Sequence, residues 1–403
     1  MRVFGSFCFA CVKLAFRGKW YYWLWLLVLL SGIGVGVKYY SDQLVTGMIV
    51  THLSDQVNWG LYIANFIFMG GIAAASIVLV IAAILYQRED VSQAALIGVA
   101  VALSAVIMSS LYILVDLGRP DRLWHMIPFI GRYNFPYSLL SWDALVLNVY
   151  LLFTLWLTGT LLFKNYRGQD QTAPIMRRWV GIAAIAVVIG MVTVEAFLLS
   201  GYEARPFWNT AVLAPRFLAA AFVSGPAVII LVLQAVSWFD TRQTAAPAID
   251  LLATIMQAAL LFNLFLVGVE MFTHFYTQGE HAISASYLYF GLEGFGRLVP
   301  WIWIAHGLGV VAACLVLVRA LRQRRVLLNV ACLLAIAEIW IEKTMGLVIP
   351  GFIPTSMGEI FEYMPATAEI FVSVGVLSIG LLVFTVLAKI ALPIVLGRVR
   401  YST

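Results

Sequence analysis

The chain has 403 residues, of which 63% are hydrophobic and only 11% charged, and its formal net charge is +5. The core of a soluble protein does not need so large an apolar fraction. The composition therefore excludes a soluble globular protein and indicates a chain that crosses the membrane several times. The positive charge is explained by membrane topology, so no nucleic-acid partner is predicted.

The first nineteen residues are basic and apolar, and they predict an uncleaved amphipathic lead-in at 1–19. Ten apolar segments follow, and each is long enough to cross a hydrocarbon core of about 30 Å as a helix. They lie at roughly 20–37, 59–85, 94–115, 141–163, 180–201, 215–237, 250–276, 298–319, 326–348 and 366–392. The sequence therefore predicts an all-α polytopic membrane protein with ten transmembrane helices and a short tail at 393–403.

Lysine and arginine are unevenly divided between the two sides of the membrane. With ten spans, both termini and the even-numbered connections share one side, which holds 17 of the 25 basic residues. Because basic residues concentrate in cytoplasmic connections, the pattern predicts that the lead-in and the tail are both cytoplasmic.

The sequence shows no ligand set for a metal or a haem. Cys8 and Cys11 form a single C-x-x-C pair, which supplies too few thiolates for a zinc or iron–sulfur site. A bis-histidine haem needs two imidazoles at matched depth, and only His306 of the five histidines lies well inside a span. We therefore expect this chain to bind no haem and no iron–sulfur cluster.

The carboxylates of the spans are concentrated in the extracytoplasmic half. They are Asp116, Asp143, Glu195, Glu270, Glu338, Glu342 and Glu369. An ionised carboxylate within the membrane is costly, so it usually faces an interior cavity and marks a functional site. Asp116, Asp143, Glu195 and Glu270 are the predicted catalytic, proton-exchanging groups, and the two glutamates rank ahead of the aspartates because they lie deeper.

Polar side chains recur at helical spacing, which places them on common helix faces. Trp59, Tyr62 and Asn65 share a face of the second span, and Tyr112 and Asp116 share a face of the third. Interhelical hydrogen bonds and interfacial anchoring would also explain any one of these residues. The prediction of a common pocket therefore rests on the convergence of the whole set.

The segment between the third and fourth spans is rich in charged and aromatic residues, and it reads DLGRPDRLWHMIPFIGRYNFPYSLLSWD (116–143). Arg119 would neutralise nearby carboxylates, while His125 and Trp142 add polar and amphipathic rings at headgroup depth. We expect this segment to form the polar wall of a pocket on the outer side. A charged loop that docks a partner protein is the alternative, and the two roles are compatible.

Such a pocket suits a quinone, whose ring packs on apolar and aromatic side chains and whose two carbonyls need hydrogen-bond donors. Oxidation of a quinol also needs bases that receive two protons. The predicted quinone-binding residues are Trp59, Tyr62, Asn65, Tyr112, Arg119, His125, Trp142 and His274. Electrons would then pass directly between the bound quinone and a redox centre in a partner protein.

Three stretches carry a family resemblance: LSDQVNWGLYIANFIFMGGIAAAS (53–76), LYILVDLGRPDRLWHMIPFIGRYNFPYSLLSWDALVLNVYLL (111–152) and EYMPATAEI (362–370). They resemble the NrfD/polysulfide reductase membrane-subunit (PsrC-like) family. The strings WGLYIANF and DLGRPDRLWH are most similar to its ten-helix members, DsrP and HmcC.

The resemblance implies two four-helix bundles, at 59–201 and 215–348, flanked by extra helices at 20–40 and 366–392. It implies a quinone, menaquinone in particular, near the extracytoplasmic face of a prokaryotic cytoplasmic membrane. The implied partners are an extracytoplasmic ferredoxin-like iron–sulfur subunit, a multihaem cytochrome c, and a b-haem membrane subunit with its cytoplasmic iron–sulfur protein. The chain would be the electron-transfer subunit of a respiratory or sulfur-metabolism (Dsr-type) oxidoreductase complex, with no redox cofactor of its own apart from quinone.

Two other functions stay open from the sequence. A structural anchor of a redox complex also needs a docking face, but it has no use for seven clustered acids. A proton-coupled secondary transporter could use buried glutamates, but it predicts a midplane site at broken helices and often inverted repeats. FIFMGGIAAAS in the second span and AAFVSGPAVII in the sixth instead indicate a parallel duplication.

Overall fold

The computed structural model of the protein describes residues 2–126, 130–131, 134–168, 174–239, 246–279, 281–355 and 357–401. Within these ranges the chain folds into helices and turns, with no strand beyond one isolated bridge between Leu292 and Phe295. The predicted all-α class is confirmed. The α-helices are α1 Arg2–Ala15, α2 Trp20–Thr46, α3 Leu61–Ser76, α4 Val78–Ile84, α5 Glu89–Asp116, α6 Leu139–Arg167, α7 Pro174–Ser200, α8 Leu213–Phe239, α9 Ala246–Thr277, α10 His281–Phe290, α11 Val299–Leu317, α12 Arg319–Arg322, α13 Arg325–Lys343 and α14 Thr367–Val395.

Nine segments of the described chain are long and apolar enough to cross a membrane. They are α2, α3 with α4, α5, α6, α7, α8, α9, α11 and α14. The predicted span 326–348 corresponds to α13, which carries Glu338, Glu342 and Lys343 at its end and continues into a π-helical turn, Thr344–Val348. Because of these charges, α13 is not one of the nine candidate membrane-spanning segments. A multi-pass membrane protein is confirmed, and the count of ten spans stays a prediction.

The first long helix extends beyond its apolar segment. The predicted span ended at residue 37, whereas α2 continues to Thr46 through Lys38, Ser41 and Asp42. Hydrophobicity marks the width of the membrane, but backbone hydrogen bonds can continue a helix past the lipid. Apolar length therefore underestimates this helix.

The second predicted span is one segment in the sequence but two helices in the structure, because α3 and α4 meet at Ile77. The hydroxyl of Ser76 donates to the carbonyl of Ile72 at 2.6 Å, and hydrogen bonds of this kind bend helices. The N–H of Ile77 bonds to the carbonyl of Ala74 at 3.4 Å, three residues earlier, so the last turn of α3 is also tightened.

α3 lies at the centre of the molecule, and almost all of its residues are buried. It packs against α5 and α8, while α6 packs against α5 and α7. α8 in turn packs against α9 and α13, and α11 contacts α13 and α9. α2 and α14 pair with each other, and α14 packs along α5.

The pair formed by α2 and α14 is joined through glycine. A methyl group on Gly36 would overlap Gly375, and the reverse also holds, so the two backbones are in direct contact. Tyr39 stacks on Phe371 beside this crossing, with ring centroids 4.8 Å apart. Close backbone approach of this kind is how helices associate in lipid, where the hydrophobic effect gives no driving force between them.

Candidate functional site

A cavity of about 550 Å³ lies at one end of the helices, where α3 and α6 begin and α5 and α7 end. The short 3₁₀ turns at 206–208 and 350–352 complete its wall. Its volume is typical of small-molecule sites, which span about 300–1,000 Å³. We refer to it as the outer cavity, after the side of the membrane on which the sequence predicts it.

One wall of the outer cavity is aromatic. The rings of Trp59 and Trp208 stack with their centroids 5.8 Å apart, and Tyr202 and Phe352 meet both of them edge-on. Trp208 is held in place because its indole N–H donates to the carbonyl of Leu347 at 2.8 Å. The four rings form a preorganised apolar surface on which another planar ring can pack.

Two acids and a histidine supply polar groups to the outer cavity. Asp143 is buried at the start of α6, and Asp116 ends α5. Among the described residues, the buried Oδ1 of Asp116 has no hydrogen-bond partner. His125 is exposed and stacks on Trp124 with ring centroids 3.7 Å apart. A buried carboxylate oxygen without a partner is unfavourable, so Asp116 is the lining group that most needs a ligand or solvent contact.

The structure brings four of the predicted site residues together at the outer cavity, namely Trp59, Asp116, His125 and Asp143. Three others, Tyr62, Asn65 and Tyr112, contact neighbouring helices and are not among its lining residues. Their hydrogen-bond partners are Gln43 Oε1 at 2.9 Å, Trp340 Nε1 at 2.8 Å and the carbonyl oxygen of Ser373 at 3.2 Å, respectively.

Arg119, Trp142 and His274 are also not among the residues that line the outer cavity. Arg119 is exposed and pairs with Asp121 at 3.2 Å, and its hydrogen bond holds the pKa of Asp121 below the ordinary value. Trp142, in the first turn of α6, donates its indole N–H to the carbonyl of Pro136 in the preceding connection at 2.8 Å. His274 is buried and stacks on Phe207, with ring centroids 5.6 Å apart.

A network of buried charges joins α8, α9 and α13. Arg216 contacts Glu270 through Nη1, and its Nε donates to Glu342 at 3.0 Å. Asn263 donates to Glu342 at 2.9 Å and to Glu338 at 3.5 Å. The side chain of Arg216 is only 4% exposed, so water screens these ion pairs little. Glu270 therefore belongs to this charge network and not to the outer cavity.

Glu195 lies between the outer cavity and the charge network. It precedes Leu198, a lining residue of the outer cavity, by about one turn of α7. Asp143 and Lys343 lie close enough to Glu195 for electrostatic interaction. Glu195 and Lys343 also line a shared void of about 10 Å³, close to the smallest space that admits a water molecule. Within the described chain, neither carboxylate oxygen of Glu195 has a hydrogen-bond partner.

Several residues of these sites were not predicted from the sequence, among them Arg216, Lys343, Tyr202 and Trp208. A lone arginine in an apolar segment is costly, so Arg216 at the start of the sixth span was a usable signal for a buried acidic partner. Lys343 directly follows Glu342 and gave a similar signal. Tyr202 and Trp208 lie in a connection between spans, where the sequence pattern gave no indication that they join the pocket.

The sequence profile described as "Polysulphide reductase, NrfD" matches residues 49–353. This range includes α3 to α13, and with them the outer cavity and the charge network. The chain belongs to the NrfD family. The resemblance carried by the motifs at 53–76 and 111–152 is thereby confirmed.

Relatives of this NrfD-family chain match it over most of their length. It is 27% identical to a putative dimethyl sulfoxide reductase membrane subunit of Halobacterium salinarum, over 90% of this chain and 88% of the relative. It is 23% identical to a selenate reductase subunit of Mesobacillus selenatarsenatis, over 88% and 91%. The Hdr-like menaquinol oxidoreductase integral membrane subunit of Archaeoglobus fulgidus is 22% identical, over 91% and 92%. All three are named as subunits of reductases or oxidoreductases.

Proposed function

We propose that this chain is the quinone-interacting membrane subunit of an oxidoreductase complex, and that the outer cavity is its quinone site. One observation carries the proposal: the stacked indoles of Trp59 and Trp208 line the same cavity as the carboxylates of Asp116 and Asp143. A relative named as a menaquinol oxidoreductase subunit makes menaquinone the proposed quinone.

The residues of the outer cavity fit a quinone. The indole faces of Trp59 and Trp208 suit an aromatic ring, and the side chains of Asn58, Tyr202 and His125 carry N–H or O–H donors for its two carbonyls. When bound, the quinone supplies two-electron chemistry that is coupled to two protons.

The acids of the chain provide the bases for those protons. Asp116 and Asp143 line the cavity and exchange protons there, as general acid–base catalysis requires groups within hydrogen-bond reach. Glu195 continues this relay from Asp143 toward Lys343. Glu270 is the most distant member and is joined to the relay through the ion pairs of Arg216.

The proposed electron-transfer partner is an extracytoplasmic ferredoxin-like iron–sulfur subunit that docks beside the outer cavity. The exposed Arg119–Asp121 pair and the half-exposed ring of Trp124 give the neighbouring loop charged and aromatic contact groups. A Dsr-type complex would add a multihaem cytochrome c and a b-haem membrane subunit with its cytoplasmic iron–sulfur protein. The relatives named as subunits of dimethyl sulfoxide reductase and selenate reductase support the proposal that this chain is a subunit of an oxidoreductase complex, whichever substrate that complex uses.

We also propose ten spans in a prokaryotic cytoplasmic membrane, with both termini cytoplasmic and the outer cavity on the extracytoplasmic side. The excess of lysine and arginine at the opposite ends of the helices supports this orientation. The mutual contacts of α3 to α7, and of α8, α9, α11 and α13, support two four-helix bundles with α2 and α14 outside them.

The test is a titration of the purified, intact chain with a fluorescent hydroxyquinoline N-oxide, a quinone analogue, with quenching as the readout. We expect saturable binding that Asp116→Asn weakens about tenfold, because a hydrogen bond to a charged group contributes about 1.5–3 kcal/mol. Asp121→Asn is the matched control, since this aspartate lies in the same loop but is exposed and paired with Arg119.

Two outcomes would contradict the proposal. If folded wild-type protein shows no saturable binding, the chain acts as a structural anchor and the loop 116–143 is a docking surface alone. If Asp121→Asn weakens binding as much as Asp116→Asn, the analogue does not bind in the outer cavity.

Tyr112→Phe is a second control. It should leave binding of the analogue unchanged, because the Tyr112 hydroxyl donates to the Ser373 carbonyl on α14 and Tyr112 does not line the outer cavity.

A further inference from the structure

A second cavity, of about 340 Å³, lies at the opposite end of the helices from the outer cavity. It forms where α8 ends and where α9 and α13 begin. Arg322 and Arg325 contribute cationic side chains, Gln234 and Ser237 contribute polar ones, and Asp250 contributes an acid. The quinone function proposed above makes no use of this cavity, which we call the basic cavity.

One arginine of the basic cavity is held by neighbouring side chains. Nη1 of Arg322 donates to Gln257 Oε1 at 2.6 Å, and Nη2 lies 3.7 Å from Asp250 Oδ1. The Arg322 side chain is only 15% exposed. A guanidinium has five N–H donors, so these contacts position the group and still leave donors for a ligand. Arg322 is therefore a preorganised donor at the cavity wall.

The electrostatic balance of the basic cavity favours an anion. Arg322 and Arg325 face a single acid, Asp250, among the lining residues. The N-terminal ends of two long helices, α9 and α13, also meet there, and each carries a partial positive charge. The C-terminal end of α8 opposes them. Among the described residues, however, two helix N-termini and two arginines outweigh one C-terminus and one carboxylate.

The basic cavity also has an apolar side, formed by Ile249, Ala253 and Leu328. It lies at the ends of the membrane-spanning helices α8 and α9, at the depth of lipid headgroups. We propose that the basic cavity binds a phosphate group, supplied either by the headgroup of an anionic phospholipid or by soluble phosphate. The apolar residues suit the acyl-ester region of a lipid, and the arginines suit its phosphate.

The experiment uses the delipidated full-length chain in detergent and measures bound lipid by native mass spectrometry. Phosphatidylglycerol is the probe, phosphatidylcholine is the lipid control, and inorganic phosphate at millimolar concentration is the competitor. We expect saturable binding of phosphatidylglycerol that the double variant Arg322→Gln, Arg325→Gln weakens about tenfold, or about 1.4 kcal/mol. Arg324→Gln is the matched control, because Arg324 is exposed at the same helix end but does not line the cavity.

Each result decides the proposal. Displacement of the lipid by inorganic phosphate, with loss of phosphate binding in the double variant, supports the site and assigns it to soluble phosphate. Resistance to phosphate supports the site and assigns it to lipid. Equal binding of phosphatidylcholine, or wild-type affinity in the double variant, overturns it. If the double variant does not fold, Arg325→Gln carries the test alone, since this side chain is exposed and its loss should not impair folding.

Discussion

The ammonium group of Lys343 lies 3.6 Å from the centroid of the Phe217 ring, between α13 and α8. In the described part of the chain Nζ has no hydrogen-bond partner. The ring face therefore stabilises a buried cation, and such a contact contributes about 2 kcal/mol when it is shielded from water. Lys343 also acts electrostatically on Glu195 and Glu342, so it connects the charge network to the acid next to the outer cavity.

Replacement of this lysine tests whether its charge is functional. Lys343→Met keeps the length of the side chain and removes an ammonium group whose burial is unfavourable. We expect the thermal unfolding midpoint in detergent to be retained or raised, and quinol-dependent electron transfer by the complex to fall, because Glu195 loses its neighbouring cation. Lys389→Met is the control, since Lys389 also lies over a ring, that of Tyr22, but far from the acids. Unchanged turnover would assign Lys343 a packing role.

The proposed relay makes Glu195 essential for turnover but not for assembly. Glu195→Gln keeps the shape of the side chain and removes its capacity to carry a proton. We expect the variant to assemble with its partners and to slow quinol turnover about tenfold or more, since a positioned general acid–base group contributes about 10²–10⁴-fold. Glu359→Gln, at an exposed position, should have no effect. Normal turnover in Glu195→Gln would remove this residue from the relay.

Gly70 provides the space in which the Glu195 carboxylate lies. A methyl group at Gly70 would overlap that carboxylate, whereas a methyl group at Gly190 would meet nothing within 4 Å. We expect Gly70→Ala to displace Glu195 and to lower turnover in protein that still folds, and Gly190→Ala to match wild type. Turnover and thermal unfolding are measured on both variants. Equal effects of the two alanines would show that helix packing, and not the position of Glu195, governs the result.

The ion pairs of Arg216 should contribute more to stability than the exposed pair of Arg119. Arg216→Gln leaves Glu270 and Glu342 buried without their cation, and breaking such a pair costs about 3–5 kcal/mol. Arg119→Gln removes a solvent-exposed contact with Asp121 and should leave the unfolding transition unchanged. Thermal unfolding in detergent compares the two variants. Similar midpoints for both would mean that the buried charges are satisfied in another way.

Much of the fold could be predicted from local patterns. Apolar length identified the membrane-spanning helices, because the thickness of the bilayer sets the length of an apolar helix. The break at Ile77 and the extension of α2 to Thr46 could not be read in the same way. They depend on a side-chain hydrogen bond of Ser76 and on helix formation outside the lipid, and neither changes the apolar pattern.

The candidate site was predictable in part. Asp116 and Asp143 were recognised because an ionised carboxylate within the membrane is costly and the acids of the spans cluster in one half, and both line the outer cavity. The aromatic partner of Trp59 was missed, because Trp208 comes from a connection far along the chain. The quinone-binding role of Asn65 stays a prediction, and the hydrogen bond that its oxygen accepts from Trp340, a residue 275 positions away, could not be read from the local pattern.

Local patterns in the amino-acid sequence are enough to show that this protein is helical, crosses the membrane several times, belongs to the NrfD family and concentrates the acids of its spans toward one end of its helices. The packing of the helices is needed to show which acids line the outer cavity and which are held in ion pairs. The physical reason is that hydrophobicity and helical period are local properties, whereas a contact such as that between Arg216 and Glu342 joins residues 126 positions apart. Such a contact exists only once α8 and α13 have packed together.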